Sequence, residues 1–152
     1  MPHIPEPRAR ASSNFAVEQV RAIYQELADR PIERGCERLG QCCHFKRTGR
    51  TPFLTAGEAL VAARALRATG RTNLPHRTDG ACPLLSSDGS RCLVYEARPF
   101  GCRTHFCAAA GGPYARSEVV DLIRRLEDID AQLGGDGAHP LPAAVAHALA
   151  SL

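Results

Sequence analysis

Residues 82 to 103, CPLLSSDGSRCLVYEARPFGCR, decide how this chain has to fold. Their only β-like run is Cys92-Leu93-Val94-Tyr95, and the Gly, Pro, Ser and Arg residues around it punctuate regular structure rather than sustain it. Pro99 fixes its own φ and biases Arg98 away from helical backbone. The Tyr-Glu-Ala-Arg-Pro segment is therefore expected to turn sharply and bring Cys92 and Cys102 to one side. Working outward, the irregular region extends over residues 71 to 112 and includes Cys107, and a second one, residues 30 to 50, holds Cys36, Cys42 and Cys43. All seven cysteines lie in these two stretches. Backbone of this kind needs an organiser other than a large core, and a thiolate-bound metal can supply about 10 kcal/mol or more of apparent folding free energy.

The remaining composition agrees with that need. At 152 residues the chain has the size of one domain. Aromatic residues make up 5% of it, Trp is absent, and 24 residues are Ala, so each buried side chain removes little area from water and the core is expected to be thin. The opening MPHIPEPRARASSN lacks the apolar run of a secretory signal, and no long apolar segment follows, which points to a soluble cytoplasmic protein with no membrane contact. In that compartment thiols stay reduced, so clustered cysteines read as metal ligands or reactive centres before they read as disulfides.

Helical periodicity frames the cysteine stretches. Phe15, Ala16, Val20, Ile23 and Leu27 share one face of a helix over 15–29, with a cap at Ser12, Ser13 or Asn14 and a stop at Pro31. Thr55 and Glu58 form a capping box that opens a second helix reaching Thr69, before Gly70. Ser117 is the expected cap of a third, whose apolar face is Val119, Leu122, Ile123, Leu126, Ile129 and Leu133, with Gly134 as its left-handed terminator. Pro142 to Ser151 reads as a short fourth helix. The expectation is a small, mainly α single domain with helices packed around an irregular cysteine-rich region. Residues 1–13 would be a flexible lead, 14–133 the cysteine-cluster domain with its motif region at 36–107, and 134–152 a linker and short C-terminal helix.

Net charge is only +3, too small to argue for a nucleic-acid or membrane partner. Between His44 and Arg77, however, seven basic residues (Lys46, Arg47, Arg50, Arg64, Arg67, Arg71, Arg77) face one acid, Glu58. A solvated face is the expected reading of that run, and an anionic partner the lesser one.

The cysteine spacing resembles that of the bacterial YkgJ-like cysteine-cluster family, whose pattern runs C-x-x-C-G-x-C-C, a spacer, C-x-x-L, and then G-x-C-x-[VI]-Y-E-x-R-P-x-x-C-R. The likeness rests on Cys36, Gly40, Cys42, Cys43, Cys82, Leu85, Cys92, Val94, Tyr95, Glu96, Arg98, Pro99, Cys102 and Arg103, and covers residues 36 to 107. Leu39 stands where the family has its second cysteine, which removes a four-thiolate site built from the first stretch alone. Cys107 is the candidate replacement. The resemblance implies chelation of zinc or iron, with an iron-sulfur cluster among the forms it takes.

The candidate ligands are thus Cys36, Cys42, Cys43, Cys82, Cys92, Cys102 and Cys107, with His44 and His105 as further candidates because each lies within two residues of a cysteine. Adjacent Cys42 and Cys43 point to opposite faces in extended backbone, so either one is spare or there are two centres. Four thiolates suit a [4Fe-4S] cluster as well as Zn²⁺ or an iron ion. Compact zinc ribbons usually show two C-x-x-C knuckles and this chain has none, so the cluster is preferred. Four thiolates on either centre leave a net negative charge, for which Arg98 and Arg103, with Tyr95 packed beside them, are the expected neighbours. A metal-binding protein is the leading reading, with a protein partner left unidentified. The alternatives are a metal-dependent or redox enzyme using the site catalytically, and a zinc module that binds nucleic acid through the Arg-rich stretch; no nucleophile with its base, phosphate loop or HExxH helix supports the first.

Overall fold

A computed structural model describes residues 7–30, 43–105 and 112–152. Its elements in chain order are α1 (Pro7–Asp29), α2 (Phe45–Thr48), β1 (Phe53–Leu54), α3 (Ala56–Ala68), a 3-10 turn (Tyr95–Ala97), α4 (Phe100–Thr104), α5 (Arg116–Gln132), β2 (His139–Pro140) and α6 (Leu141–Ala150). The protein is mainly α, as the periodicity indicates.

Helix α3 is the wall shared by two apolar clusters. On one side Val61 joins Val17, Val20, Ile23 and Leu27 of α1, Leu122, Leu126 and Ile129 of α5, and Phe100. On the other, Ala59, Ala62, Ala63 and Leu66 pack with Leu141, Val145 and Leu149 of α6, with Leu54, and with Leu84, Leu85 and Val94 of the cysteine-bearing segment. Small residues let the helices approach closely. A Cβ on Gly57 would stand 2.9 Å from a Val20 methyl and 3.0 Å from an Ile129 methyl, so α1, α3 and α5 meet there at a distance only glycine permits.

The ends of α3 follow the expected chemistry. Thr55 is the N-cap, and Glu58 reaches back so that its Oε2 accepts from Thr55 N at 2.9 Å and from Thr55 Oγ1 at 2.8 Å. Past Ala68, Thr69 caps the helix and Gly70 takes a φ of +90°. A second carboxylate, from α5, joins the same end of α3: Asp130 Oδ1 accepts from Ala56 N at 2.7 Å, while its Oδ2 accepts from Gly137 N at 2.9 Å. Asp130 is only 4% exposed.

Several expectations are corrected. Helix α1 starts at Pro7, inside the segment read as a flexible lead, because a proline in the first turn gives up no intrahelical bond and nothing in Arg-Ala-Arg-Ala stops a helix. Ser12, Ser13 and Asn14 are therefore interior positions, not caps. Phe15 is 58% exposed, and Val17 and Tyr24 take its place on the buried face. Helix α5 is capped at Ala115 instead of Ser117, since Glu118 accepts from Ala115 N at 2.7 Å and so fixes the boundary two residues earlier. The run at Cys92–Tyr95 is no strand: Leu85 and Cys92 form a single antiparallel bridge, after which the chain turns into the 3-10 segment. A two-residue ladder that the sequence did not signal pairs Phe53 with Pro140 and Leu54 with His139, placing β2 within the segment read as a linker. It docks α6 against α3.

Candidate metal centre

Cys82 is the best-defined member of the cysteine set. It is 5% exposed, and the Cys82-Pro-Leu-Leu85 segment closes a turn in which Leu85 N donates to Cys82 O at 3.0 Å. Inside that turn Leu84 N donates to Cys82 Sγ at 3.4 Å. An amide aimed at sulfur stabilises a thiolate over a thiol, because the charged form is the stronger acceptor. The next residues form a hairpin: Leu93 N donates to Leu84 O at 2.7 Å, and Ser86 N to Arg91 O at 2.8 Å. Asp88 holds the hairpin's tip by accepting from Ser86 Oγ, Ser90 N and Ser90 Oγ, which holds its carboxyl well below the usual range. Cys92 therefore stands opposite Leu85, three residues from Cys82.

The two cysteine stretches adjoin at one point. Cys82 N donates to Cys43 O at 2.6 Å, across 39 positions of sequence. Arg77 braces the hairpin that follows Cys82. Its Nε and one terminal nitrogen bind Asp79 at 3.0 and 2.7 Å, and its other terminal nitrogen donates to Leu85 O at 3.0 Å and Ser86 O at 2.8 Å. Its pKa is raised, first by Asp79 and then by the Cys82 and Cys43 sulfurs, so the guanidinium lies within electrostatic reach of both. The sequence signal for this arrangement was Arg-Thr-Asp-Gly at 77–80, a charged pair two residues apart leading into a turn just before Cys82.

Cys102 occupies a different setting, on α4. Arg98 takes the extended backbone required before Pro99, with φ −61° and ψ 147°, and α4 starts directly after it. Phe100 N donates to the buried Glu58 at 2.8 Å. Around Cys102 are Tyr24 of α1 and Arg103, whose guanidinium lies 4.0 Å over the Tyr24 ring. Burial raises the Glu58 pKa against its hydrogen bonds, and burial followed by the Glu58 charge raises that of Tyr24. The Tyr24 hydroxyl faces that carboxyl but lies outside hydrogen-bond geometry.

Arg98 and Arg103 are engaged with the polypeptide. Arg98 donates to Tyr95 O at 3.1 Å and stacks on the Tyr95 ring, and Arg103 donates to Arg98 O at 2.8 Å and Glu96 O at 2.6 Å. They satisfy the carbonyls of the 3-10 turn. Arg103 also interacts electrostatically with Cys102. His105 Nδ1 is in close contact with an Arg50 terminal nitrogen. A guanidinium has no lone pair to offer, so Nδ1 is the acceptor in that contact. His44 precedes α2, and its carbonyl accepts from Thr48 N at 3.0 Å. Cys36, Cys42 and Cys107 lie outside the described residues, and among the described residues no three His, Cys, Asp or Glu side chains converge as an ion's ligands.

The donors nevertheless suit a thiophilic metal: a buried sulfur with an amide aimed at it, a second cysteine joined to it through the backbone, and a fixed guanidinium to offset thiolate charge. Among the described residues no helix is long and apolar enough to cross a membrane. A family model, CxxCxxCC, described as "Putative zinc- or iron-chelating domain", matches residues 35–121. No curated protein and no solved structure matches the chain significantly.

Proposed function

The chain belongs to the CxxCxxCC family, and from that premise we propose that it is a metal-binding protein in which thiolates from both cysteine stretches hold one shared centre. The observation that carries this reading is the backbone hydrogen bond from Cys82 N to Cys43 O, because it joins the two cysteine stretches at one point, next to the hairpin that Arg77 braces. Cys43, Cys82, Cys92 and Cys102 are the proposed ligands among the described residues, and Cys36, Cys42 and Cys107 complete the candidate set. A [4Fe-4S] cluster is the first choice of centre on the donor chemistry and the absence of C-x-x-C knuckles. When bound, it would supply one-electron chemistry, and the protein would set its potential through amides such as that of Leu84. A zinc or iron ion is the second reading, favoured by the turn at Cys82, since an amide on the sulfur of a tight turn also supports a single ion.

Anaerobic purification with metal and acid-labile sulfide analysis tests both. A brown protein with stoichiometric sulfide supports the cluster, and a colourless one with stoichiometric zinc supports the ion. Protein that carries neither metal and keeps its fold through thiol reduction and chelation would overturn the proposal. Cys82→Ser is expected to lower metal content and melting temperature together.

A further inference from the structure

Glu58 is placed for more than capping its own helix. One carboxylate oxygen closes the start of α3 through Thr55 N and Oγ1, while the other accepts from Phe100 N, the first amide of α4, 42 residues away. The side chain is 3% exposed, so this link is made out of water's reach. Helix α4 has only five residues, too short to hold its own shape alone, and its start is tied by the bonds from Cys102 N and Arg103 N to Pro99 O. Phe100 stands two positions before Cys102, on the same turn. Whatever fixes the Phe100 amide therefore fixes where the Cys102 sulfur is presented. We propose that Glu58 is the positioning residue for Cys102, holding α4 against α3 so that this thiolate meets the metal centre in a fixed place.

The inference rests on the proposed role of Cys102 as a ligand, and the test separates the two. The metal-loaded full-length protein is challenged with excess chelator, and metal loss is followed for wild type, Glu58→Gln, Glu58→Asp, Thr55→Val and Cys102→Ser. Partners that orient a ligand typically change metal affinity by about 10–100-fold, so Glu58→Gln is expected to lose metal roughly tenfold faster than wild type. Glu58→Asp keeps the charge and suits a helix's first turn, but it withdraws the acceptor from Phe100 N by about one C–C bond, ~1.5 Å. It is expected to fold and still release metal faster, which covers the case where Glu58→Gln does not fold. Thr55→Val disturbs the same carboxylate only on the α3 side, so it should lower the melting temperature and leave release within about twofold, a difference below 0.5 kcal/mol. If both Glu58 variants release metal at the wild-type rate while Cys102→Ser releases it faster, Glu58 has no positioning role and the ligand assignment stands. If Cys102→Ser also behaves as wild type, the ligand assignment fails and this inference falls with it. Equal acceleration in Thr55→Val would reduce Glu58 to a structural cap and overturn the inference as well.

Discussion

Asp130 offers the most direct test of how the helices are held together. Replacing it by Asn keeps the shape and one carbonyl acceptor but puts an NH₂ group where the second oxygen was. One of the two amides now served, Ala56 N at 2.7 Å or Gly137 N at 2.9 Å, is left facing a donor. A hydrogen bond to a charged group contributes about 1.5–3 kcal/mol, and stranding its buried partner costs in the same range. Losing a negative charge at the start of α3 adds about 0.3–1 kcal/mol. The expected destabilisation is roughly 2–4 kcal/mol, which for a chain of this size lowers the melting temperature by about 5–15 °C. Circular dichroism melts at matched metal content measure it. A change within about 2 °C, corresponding to less than about 1 kcal/mol, would refute the reasoning. A Cβ on Gly135 would stand 2.5 Å from the Asp130 carboxylate, so Gly135→Ala should also destabilise, and less when Asp130 is already Ala. The expected coupling is about 0.5–3 kcal/mol, and strict additivity would mean that the two residues do not meet.

Gly57→Ala is expected to push α3 off α1 and α5, lowering stability by about 1–3 kcal/mol as overpacking does, whereas an unchanged denaturation midpoint would show that the contact relaxes freely. Arg77→Lys keeps the charge but not the fork, so amide exchange should accelerate at Ser86 and Leu93 while α5 stays protected; unaltered exchange would show that Arg77 is not what holds the hairpin. His139 is raised above its ordinary pKa by Asp136, and Asp136 is lowered by His139. Its raised pKa makes the His139 contribution complete below the ordinary imidazole value, with loss as pH rises through the raised one; that of Asp136 is complete above the ordinary carboxyl value and disappears as pH falls through the lowered one. The pair therefore helps between about pH 4 and 6.5. His139→Gln should reduce the fall in melting temperature between pH 6 and pH 9, and an unchanged fall would exclude the pair as its source.

What the sequence disclosed was local. Thr55 with Glu58, Gly70, and Gly134 with φ +77° are signals read within one turn of helix, and each marks a boundary of α3 or α5. Ser117 misled because a good capping residue two positions inside competes with Glu118, whose reach back to Ala115 sets the real start. The remaining miss is a matter of distance along the chain. Asp130 meets Ala56 across 74 positions, Glu58 meets Phe100 across 42, and Cys82 meets Cys43 across 39, and no periodicity encodes such pairings. The candidate site was legible as a set of residue types, and its charge balance was not: Arg77 stands by the sulfurs, whereas Arg98 and much of Arg103 are spent on carbonyls of the turn between Cys92 and Cys102.

Because α3 lends one face to the α1–α5 cluster and the other to α6 and the hairpin, the described residues have no seam along which they could come apart in halves. Melting either side removes the backing of the other, so heat or denaturant should produce a single cooperative transition. The same geometry ties the two flanks together: loosening of the sulfur-bearing hairpin should also lower amide protection on α1 and α5, since both sides lean on α3.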